Sequence, residues 1–376
     1  MKRTFAAVLM GALVAPLAMA QQETVPITSF EESPEWAWTG GNIIDSFVDV
    51  PFDTTAPDGE LALGVFYENG SVWNYQSMSF PIDPVDISGM REIRMSVYFT
   101  DSSTGDMQIR LDLPGGDFMP LTGIPTDDEG NYITGEWHEL SFPMDRYMSQ
   151  RATAVDSLQG FIVPTPAGAV GEVWIDNVYA ALPEDIPEVE EVLLYGFNES
   201  DPDNGAPMGW TAAEGDMPEM SDGFVEPTEG DNAMVMFAMG SSSTDNVQSI
   251  NAAEHFDNWS AVREIIYDIR LVEDVPGGWI QNRLVLESGI TGDEESVVRT
   301  ENKEIGYTGT TEEWKTLAYD VDMTPHLDNI ADPNGYLEII ITPAHSGDAA
   351  GTFIVVDNMR LGVAVGETRV SDWNLF

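Results

Sequence analysis

The sequence predicts an all-β protein built from two tandem β-sandwich domains, joined by a short, acidic, proline-containing linker. Three observations predict it. First, the chain repeats itself: GEVWIDNVYA around Ile175-Asp176-Asn177-Val178 is answered by GTFIVVDNMRL around Val356-Asp357-Asn358-Met359. Second, both copies consist of short apolar runs bounded by Gly, Pro and Asp, the pattern of strands and turns. Third, few segments carry a helical period. Internal repetition decides the architecture, because each copy must be one structural unit.

The elements follow in order. Residues 1–20 combine a basic start at Lys2 and Arg3, an apolar run from Phe5 to Leu17, and Ala18-Met19-Ala20 as a small-residue cleavage site. This reads as a secretory signal, and its apolar run is shorter than the ~20 residues of a spanning helix. Copy one is expected over residues 23–183 and copy two over 192–363. Strand Ile27-Thr28-Ser29-Phe30-Glu31 pairs by position with Leu194-Tyr195-Gly196-Phe197-Asn198, and Gly59–Val65 with Asp231–Met236. Met90–Tyr98 matches Val262–Ile269, Glu136–Leu140 matches Glu313–Leu317, and Phe161–Pro166 matches Ile339–Pro343. Between the copies, residues 184–191 are acidic and proline-bearing and read as an extended linker. Residues 364–376, ending Trp373-Asn374-Leu375-Phe376, form a tail that either clips back on its own domain or is donated to a neighbouring subunit.

Composition limits the partners. Net charge is −50. Without Lys2 and Arg3 the 15 basic residues fall to 13, against 65 acidic ones. Nucleic acid is excluded, since phosphate contacts need a basic footprint, and an anionic membrane surface is disfavoured for the same reason. Apart from the signal, no segment is apolar enough to insert in a membrane. Such acidity suits life in high salt, the binding of divalent cations, or solubility at high secreted concentration. With no cysteine, there is no disulfide, and each domain rests on its own core, with or without a metal.

The landmarks resemble the β-jelly-roll modules of the galactose-binding-like superfamily, common among carbohydrate-binding modules. Copy one shows an opening Phe30-Glu31, then Gly59-Glu60-Leu61-Ala62-Leu63, Trp137-His138-Glu139-Leu140 and a final Ile175-Asp176-Asn177; copy two has Phe197-Asn198 and Val356-Asp357-Asn358. The resemblance implies a structural Ca²⁺ near the first and last strands of each copy. Glu31 and Asp176 would be its ligands in copy one, and Asn198 and Asp357 in copy two, where an amide replaces the acid. Oxygen donors suit that ion; the competing reading is that the two aspartates cap turns. The segment Asp201–Gly205 suggests a calcium loop, but Ala212 stands where a bidentate Glu is needed, so it reads as a turn.

Sugar binding on such folds uses aromatic rings flanked by polar side chains. The candidates are Trp36, Trp38, Trp73 and Tyr75 in copy one, and Trp210 and Trp279 in copy two, with Trp259 also in a turn-rich context. Trp137 and Trp314 occupy matched strand positions and read as core. Catalysis finds little support: the four histidines follow no ligand spacing, and no Gly-x-Ser-x-Gly elbow, phosphate loop or dinucleotide fingerprint occurs. The expectation is a secreted (extracellular or periplasmic), non-catalytic, calcium-braced binder of polysaccharide, neutral rather than acidic. The alternative is an extracellular structural subunit of a surface layer, matrix or filament, assembling through the jelly rolls and the C-terminal tail.

Overall fold

The computed structural model describes residues 23–365, apart from 32–36, 41–42, 50–53, 69–75, 101–107, 124, 128, 130, 164–169, 184–185, 215, 224, 238–246, 274, 276–277, 303–304, 309–311 and 346–351. The expected signal segment 1–20 and tail residues 366–376 lie outside the described residues.

Copy one runs β1 (Thr24–Thr28), β2 (Ala37–Gly40), β3 (Ile43–Asp49), β4 (Ala62–Glu68), β5 (Gln76–Val85), β6 (Glu92–Phe99), β7 (Gln108–Asp112), β8 (Asp117–Phe118), β9 (Thr122–Gly123), β10 (Trp137–Pro143), α1 (Arg146–Arg151), β11 (Val155–Val163) and β12 (Val170–Ala181). Copy two runs β13 (Val189–Tyr195), β14 (Trp210–Glu214), β15 (Glu219–Met220), β16 (Met234–Phe237), β17 (Val247–Asn251), β18 (Val262–Leu271), β19 (Trp279–Ile290), β20 (Asp293–Glu301), β21 (Ile305–Thr308), β22 (Lys315–Asp320), α2 (Leu327–Ile330), β23 (Gly335–His345) and β24 (Phe353–Ala364). Residues 189–191, read as linker from the sequence, open strand β13 and pair with β24. Ala364, read as the start of the tail, closes β24.

Each copy is a sandwich of two antiparallel sheets, and the two have one topology. The inner sheet of copy one has the order β10-β6-β12-β4-β3 with β1 on β12; that of copy two has β22-β18-β24-β16-β15 with β13 on β24. The Asp-Asn motif shapes both last strands. Asn177 and Asn358 take left-handed backbones at φ 48° and 52°, which Asn tolerates better than most residues. The ladder register shifts beside each of them. Phe30 and Phe197 are likewise left-handed, at φ 58° and 52°. Two separate apolar cores fill the sandwiches. One is built on Ile93, Met95, Val97 and Phe99 of β6, the other on Ile265, Tyr267, Ile269 and Leu271 of β18.

The copies are not beads on a string. Their other two sheets merge into one, with the strand path β14-β17-β23-β19-β21-β8-β7-β11-β5-β2. Five strands come from each copy. Four corresponding pairs, β7 with β19, β11 with β23, β5 with β17 and β2 with β14, follow in mirrored order, whereas the junction strands are not counterparts, since β21 pairs with Gln281 as β9 does with Gln108. The junction is the antiparallel pairing of β21 with β8, Gly306 opposite Phe118 and Tyr307 opposite Asp117. The Thr308 amide donates to the Gly116 carbonyl at 2.9 Å.

The second contact is ionic. Glu264, on β18 and 2% exposed, lies between Arg91 at 3.3 Å and Arg146 at 3.2 Å, both from copy one. Arg146 also reaches Glu191 at 2.8 Å, which Arg360 holds from the other side at 2.6 Å and the Tyr147 hydroxyl at 2.6 Å. Burial pushes the Glu264 carboxyl up, with Arg146 and Arg91 opposing it. Burial also pushes Glu191 up, but Tyr147, Arg360 and Arg146 outweigh it and hold Glu191 below its ordinary range. In a chain with so few cations, three of them bridge the copies.

Candidate functional site

Two kinds of station recur in both copies: a carboxylate cradle at the first and last strands, and a polar-aromatic row on the outer face of the joined sheet.

The cradle comes first. In copy one, Glu31 Oε1 accepts from the Glu60 and Leu61 amides at 2.9 and 2.8 Å, and Asp176 Oδ2 from the Asp58 amide at 2.8 Å. In copy two, Asn198 Oδ1 accepts from the Asp231 amide at 2.7 Å, while Asp357 Oδ2 takes the Thr228 and Glu229 amides at 2.6 and 2.9 Å. Gly59 and Gly230, at φ +79° and +66°, let these side chains close in, since a Cβ on either would lie 2.2 Å from the carboxylate or amide oxygen. The four residues singled out from the sequence therefore converge pairwise, each pair on one turn. Asp176 and Asp357 are fully buried, and each leaves Oδ1 without a partner. Burial, aided by Asp58 and Glu31, pushes Asp176 up to about 6, and burial also raises Asp357. An orphan carboxylate oxygen in each copy is a fit donor for a hard cation. Among the described residues, however, no group of three or more acidic or histidine side chains is placed to hold a metal, so carbonyls and waters would have to complete the shell.

The outer face is built by β7 and β19, which carry a repeat that the sequence reading missed: Gln108-Ile109-Arg110-Leu111 and Gln281-Asn282-Arg283-Leu284. Alternation sends Leu111 and Leu284 into the cores and turns the Gln and Arg the other way. The Arg110 guanidinium lies 4.5 Å from the centre of the Phe118 ring and 4.6 Å from that of Phe161. It grips both oxygens of Asp112 at 2.8 Å. Burial pushes Asp112 up to about 6 against the pull of Arg110. Arg283 faces Glu301 at 3.4 Å, and Trp279, half-exposed, shares its strand face with Gln281 and Arg283. Thr342 and Ile340 of β23, Val285 of β19 and Ser249 of β17 form a buried floor beside them.

Of the sugar-stacking candidates, Trp279 stands in this row. Trp36, Trp73 and Tyr75 lie outside the described residues, as does the side chain of Trp38, whose backbone is in β2. Trp210 is corrected: it is 2% exposed and packs in the core of copy two, 5.6 Å from Phe197 and 6.3 Å from Tyr195. Its first-strand neighbours made a core partner of it, which the surrounding turn residues concealed. Trp259 is buried too. Trp137 and Trp314, read as core, are instead half-buried; Trp137 packs edge-on against Tyr98, and Arg270 lies 5.4 Å from the Trp314 ring. The strands also shift one pairing. Arg110 faces Phe161, and its counterpart Arg283 faces Thr342, so Phe161 corresponds to Thr342 and not to Ile339.

Two other features are set aside. His326 joins Ser288 and Thr300 at 2.9 Å each, but Ser288 and His326 are both fully buried, and a hydroxyl sits where a nucleophile's histidine needs a carboxylate. This is an internal strut. A cleft of about 430 Å³ beside the linker is lined by Arg91, Arg146, Ile186 and Glu188, and both arginines are already committed to Glu264. No described helix is long and apolar enough to cross a membrane.

No family model matches the chain, and no curated protein does. Among solved structures, the N-terminal CBM22-1–CBM22-2 tandem domain of Paenibacillus barcinonensis Xyn10C is similar over 92% of this chain and 99% of its own, at 16% identity and TM-score 0.33. The CBM27-1 domain of Caldicellulosiruptor saccharolyticus in complex with mannohexaose covers 43% of this chain and 98% of its own, at 16% identity and TM-score 0.32. The family 11 carbohydrate-binding module of Clostridium thermocellum with a β-1,3-1,4-mixed-linked tetrasaccharide covers 47% and 97%, at 18% identity and TM-score 0.28. Likenesses at this level assign no ligand to this chain.

Proposed function

We propose that this chain is a secreted, non-catalytic polysaccharide-binding protein that holds a neutral glycan on the outer face of its joined sheet, with Ca²⁺ bracing each sandwich. The observation that carries the reading is the recurrence of one Gln-x-Arg pair at the same strand position in both copies, beside Trp279 in one and Phe161 in the other. Flat rings offer apolar faces to pyranose rings, as they do to other planar or apolar partners. Gln supplies a donor and an acceptor, and Arg a planar fork of donors suited to neighbouring hydroxyls. The charge on this face is internally matched, Arg110 with Asp112 and Arg283 with Glu301. A face without net positive charge, on a chain at −50, suits a neutral ligand and repels an acidic one.

Affinity electrophoresis of the protein through gels holding different neutral and acidic polysaccharides, with Ca²⁺ and with chelator, tests this. Retardation by a neutral glycan supports the reading, and free migration on every gel defeats it. Calcium is judged separately, by melting temperature: the metal should raise it, and Asp176→Asn with Asp357→Asn should remove most of that rise. A melting point indifferent to calcium would leave the two aspartates as turn caps.

A further inference from the structure

We propose that the outer face binds as one surface, not two, and takes a single extended chain of the neutral glycan across the junction between the copies. This rests on the proposed glycan reading and adds the length and placement of the ligand.

The evidence is a row of residues in direct cross-strand register. Ala344 on β23 is opposite Gln281 on β19, Gln281 opposite Gly306 on β21, and Gly306 opposite Phe118 on β8. Phe118 is opposite Asp112 on β7, Asp112 opposite Gln159 on β11, and Gln159 opposite Ser79 on β5. Cross-strand partners point to one face, and strands lie ~4.8 Å apart, so the row spans on the order of 30 Å. It crosses the junction without a register break. The junction itself is low: Gly306 has no side chain, and a Cβ there would meet the Phe118 ring at 2.6 Å. Phe118 therefore lies across onto copy two, under the guanidinium of Arg110. Ala344, Gly306, Phe118 and Asp112 are buried in this row, so a ligand following it meets the half-buried Gln281, the Arg110 guanidinium that lies over the Phe118 ring, and the half-buried Gln159.

Strand direction adds a constraint. Antiparallel steps from β7 through β8 and β21 to β19 leave β7 and β19 running in opposite directions. One chain crossing both copies meets Arg110 and Arg283 in opposite senses. Recognition along it must then rest on ring faces and hydroxyls within the chain and not on either end.

Calorimetric titration with linear oligosaccharides of rising length, drawn from a polysaccharide that retards the intact protein and with reducing ends intact or reduced by borohydride, decides the matter. The proposal predicts one long oligosaccharide per protein, and affinity that keeps rising for chains longer than one copy's share of the row. It also predicts indifference to end reduction, and a roughly tenfold loss for the long ligand in either Gln281→Ala or Gln159→Ala with stoichiometry still one. Two ligands per protein at every length, with each substitution silencing one site and sparing the other, would overturn it while leaving the glycan reading intact. If no polysaccharide retards the protein, both readings fall together. Melting temperatures of the two variants separate lost contact from lost fold, and Gln281→Asn and Gln159→Asn, which keep the amide, should recover part of the affinity if contact is the cause.

Discussion

Single residues set the chemistry of this chain through burial. Asp145 caps α1, accepting from the Tyr147 and Met148 amides at 2.8 and 3.0 Å, and burial pushes its carboxyl up to about 7. Asp112 is raised in the same way. A carboxyl raised above its unfolded value of ~3.9 binds protons more readily in the folded chain, so its contribution to stability falls as pH rises through that window. Melting temperature should therefore climb as pH drops from about 8 to 5. Asp145→Asn keeps a capping oxygen and removes the charge, so it should raise the melting temperature at pH 8 and flatten the slope. A slope as steep as in the parent would show that Asp145 is ionised throughout. At this scale the sequence was partly readable. Glu31, Asp176, Asn198 and Asp357 were singled out by the resemblance to jelly-roll modules, and the structure brings them together in pairs. Arg110 was not, because its importance comes from Phe118 and Phe161, which reach it through cross-strand and hairpin contacts that no local pattern displays. Yet the Gln-x-Arg-Leu recurrence was visible, and in a chain this poor in arginine it was a usable signal.

Among elements, the decisive pair is β8 with β21, two short strands held by little more than glycines and a ring. A Cβ at Gly306 would meet the Ile280 carbonyl oxygen at 2.2 Å, and Gly116, at φ +92°, would bring one 2.3 Å from the Thr308 carbonyl oxygen. Gly306→Val should open the junction while leaving both cores intact. Small-angle scattering should then show a more extended particle, and an unchanged scattering curve would mean that the junction adapts. The ionic contact answers to a different rule. Exposed ion pairs contribute ~0–1 kcal/mol, whereas removing one partner of a buried set costs ~3–5 kcal/mol because the others stay buried and unpaired. Glu264→Ala takes the buried carboxylate from between Arg91 and Arg146 but leaves them Asp320 at 3.1 Å and Glu191 at 2.8 Å, so its cost falls between the two classes, about 1–3 kcal/mol. Urea denaturation should show a loss of that order; a loss under about 1 kcal/mol would place Glu264 in the first. Neither contact is legible in the sequence, since both depend on how two finished domains meet. Residues 184–191 read as an extended linker, and the start of β13 at Val189 takes residues 189–191 into the sheet.

The whole molecule is governed by its charge and by its duplication. At −50, self-repulsion opposes the compact state and is screened over ~8–10 Å at moderate salt. The duplication was legible in the opening and closing strands and in several matched segments between them, but not at β7 and β19, whose Gln-x-Arg-Leu repeat went unread, nor in the exact register of Phe161 with Thr342. What it could not show is that the copies pair through corresponding sheets and so place both Gln-x-Arg rows on a single face. The measurement that bears most directly on this account is the retardation of an Arg110→Lys, Arg283→Lys double variant on a neutral glycan that slows the parent, with melting temperatures taken in parallel. Lysine keeps the charge but not the planar fork. The account predicts that retardation is largely lost while the melting temperature stays within a few degrees. Retardation equal to the parent's would contradict it and move the binding surface away from the joined sheet.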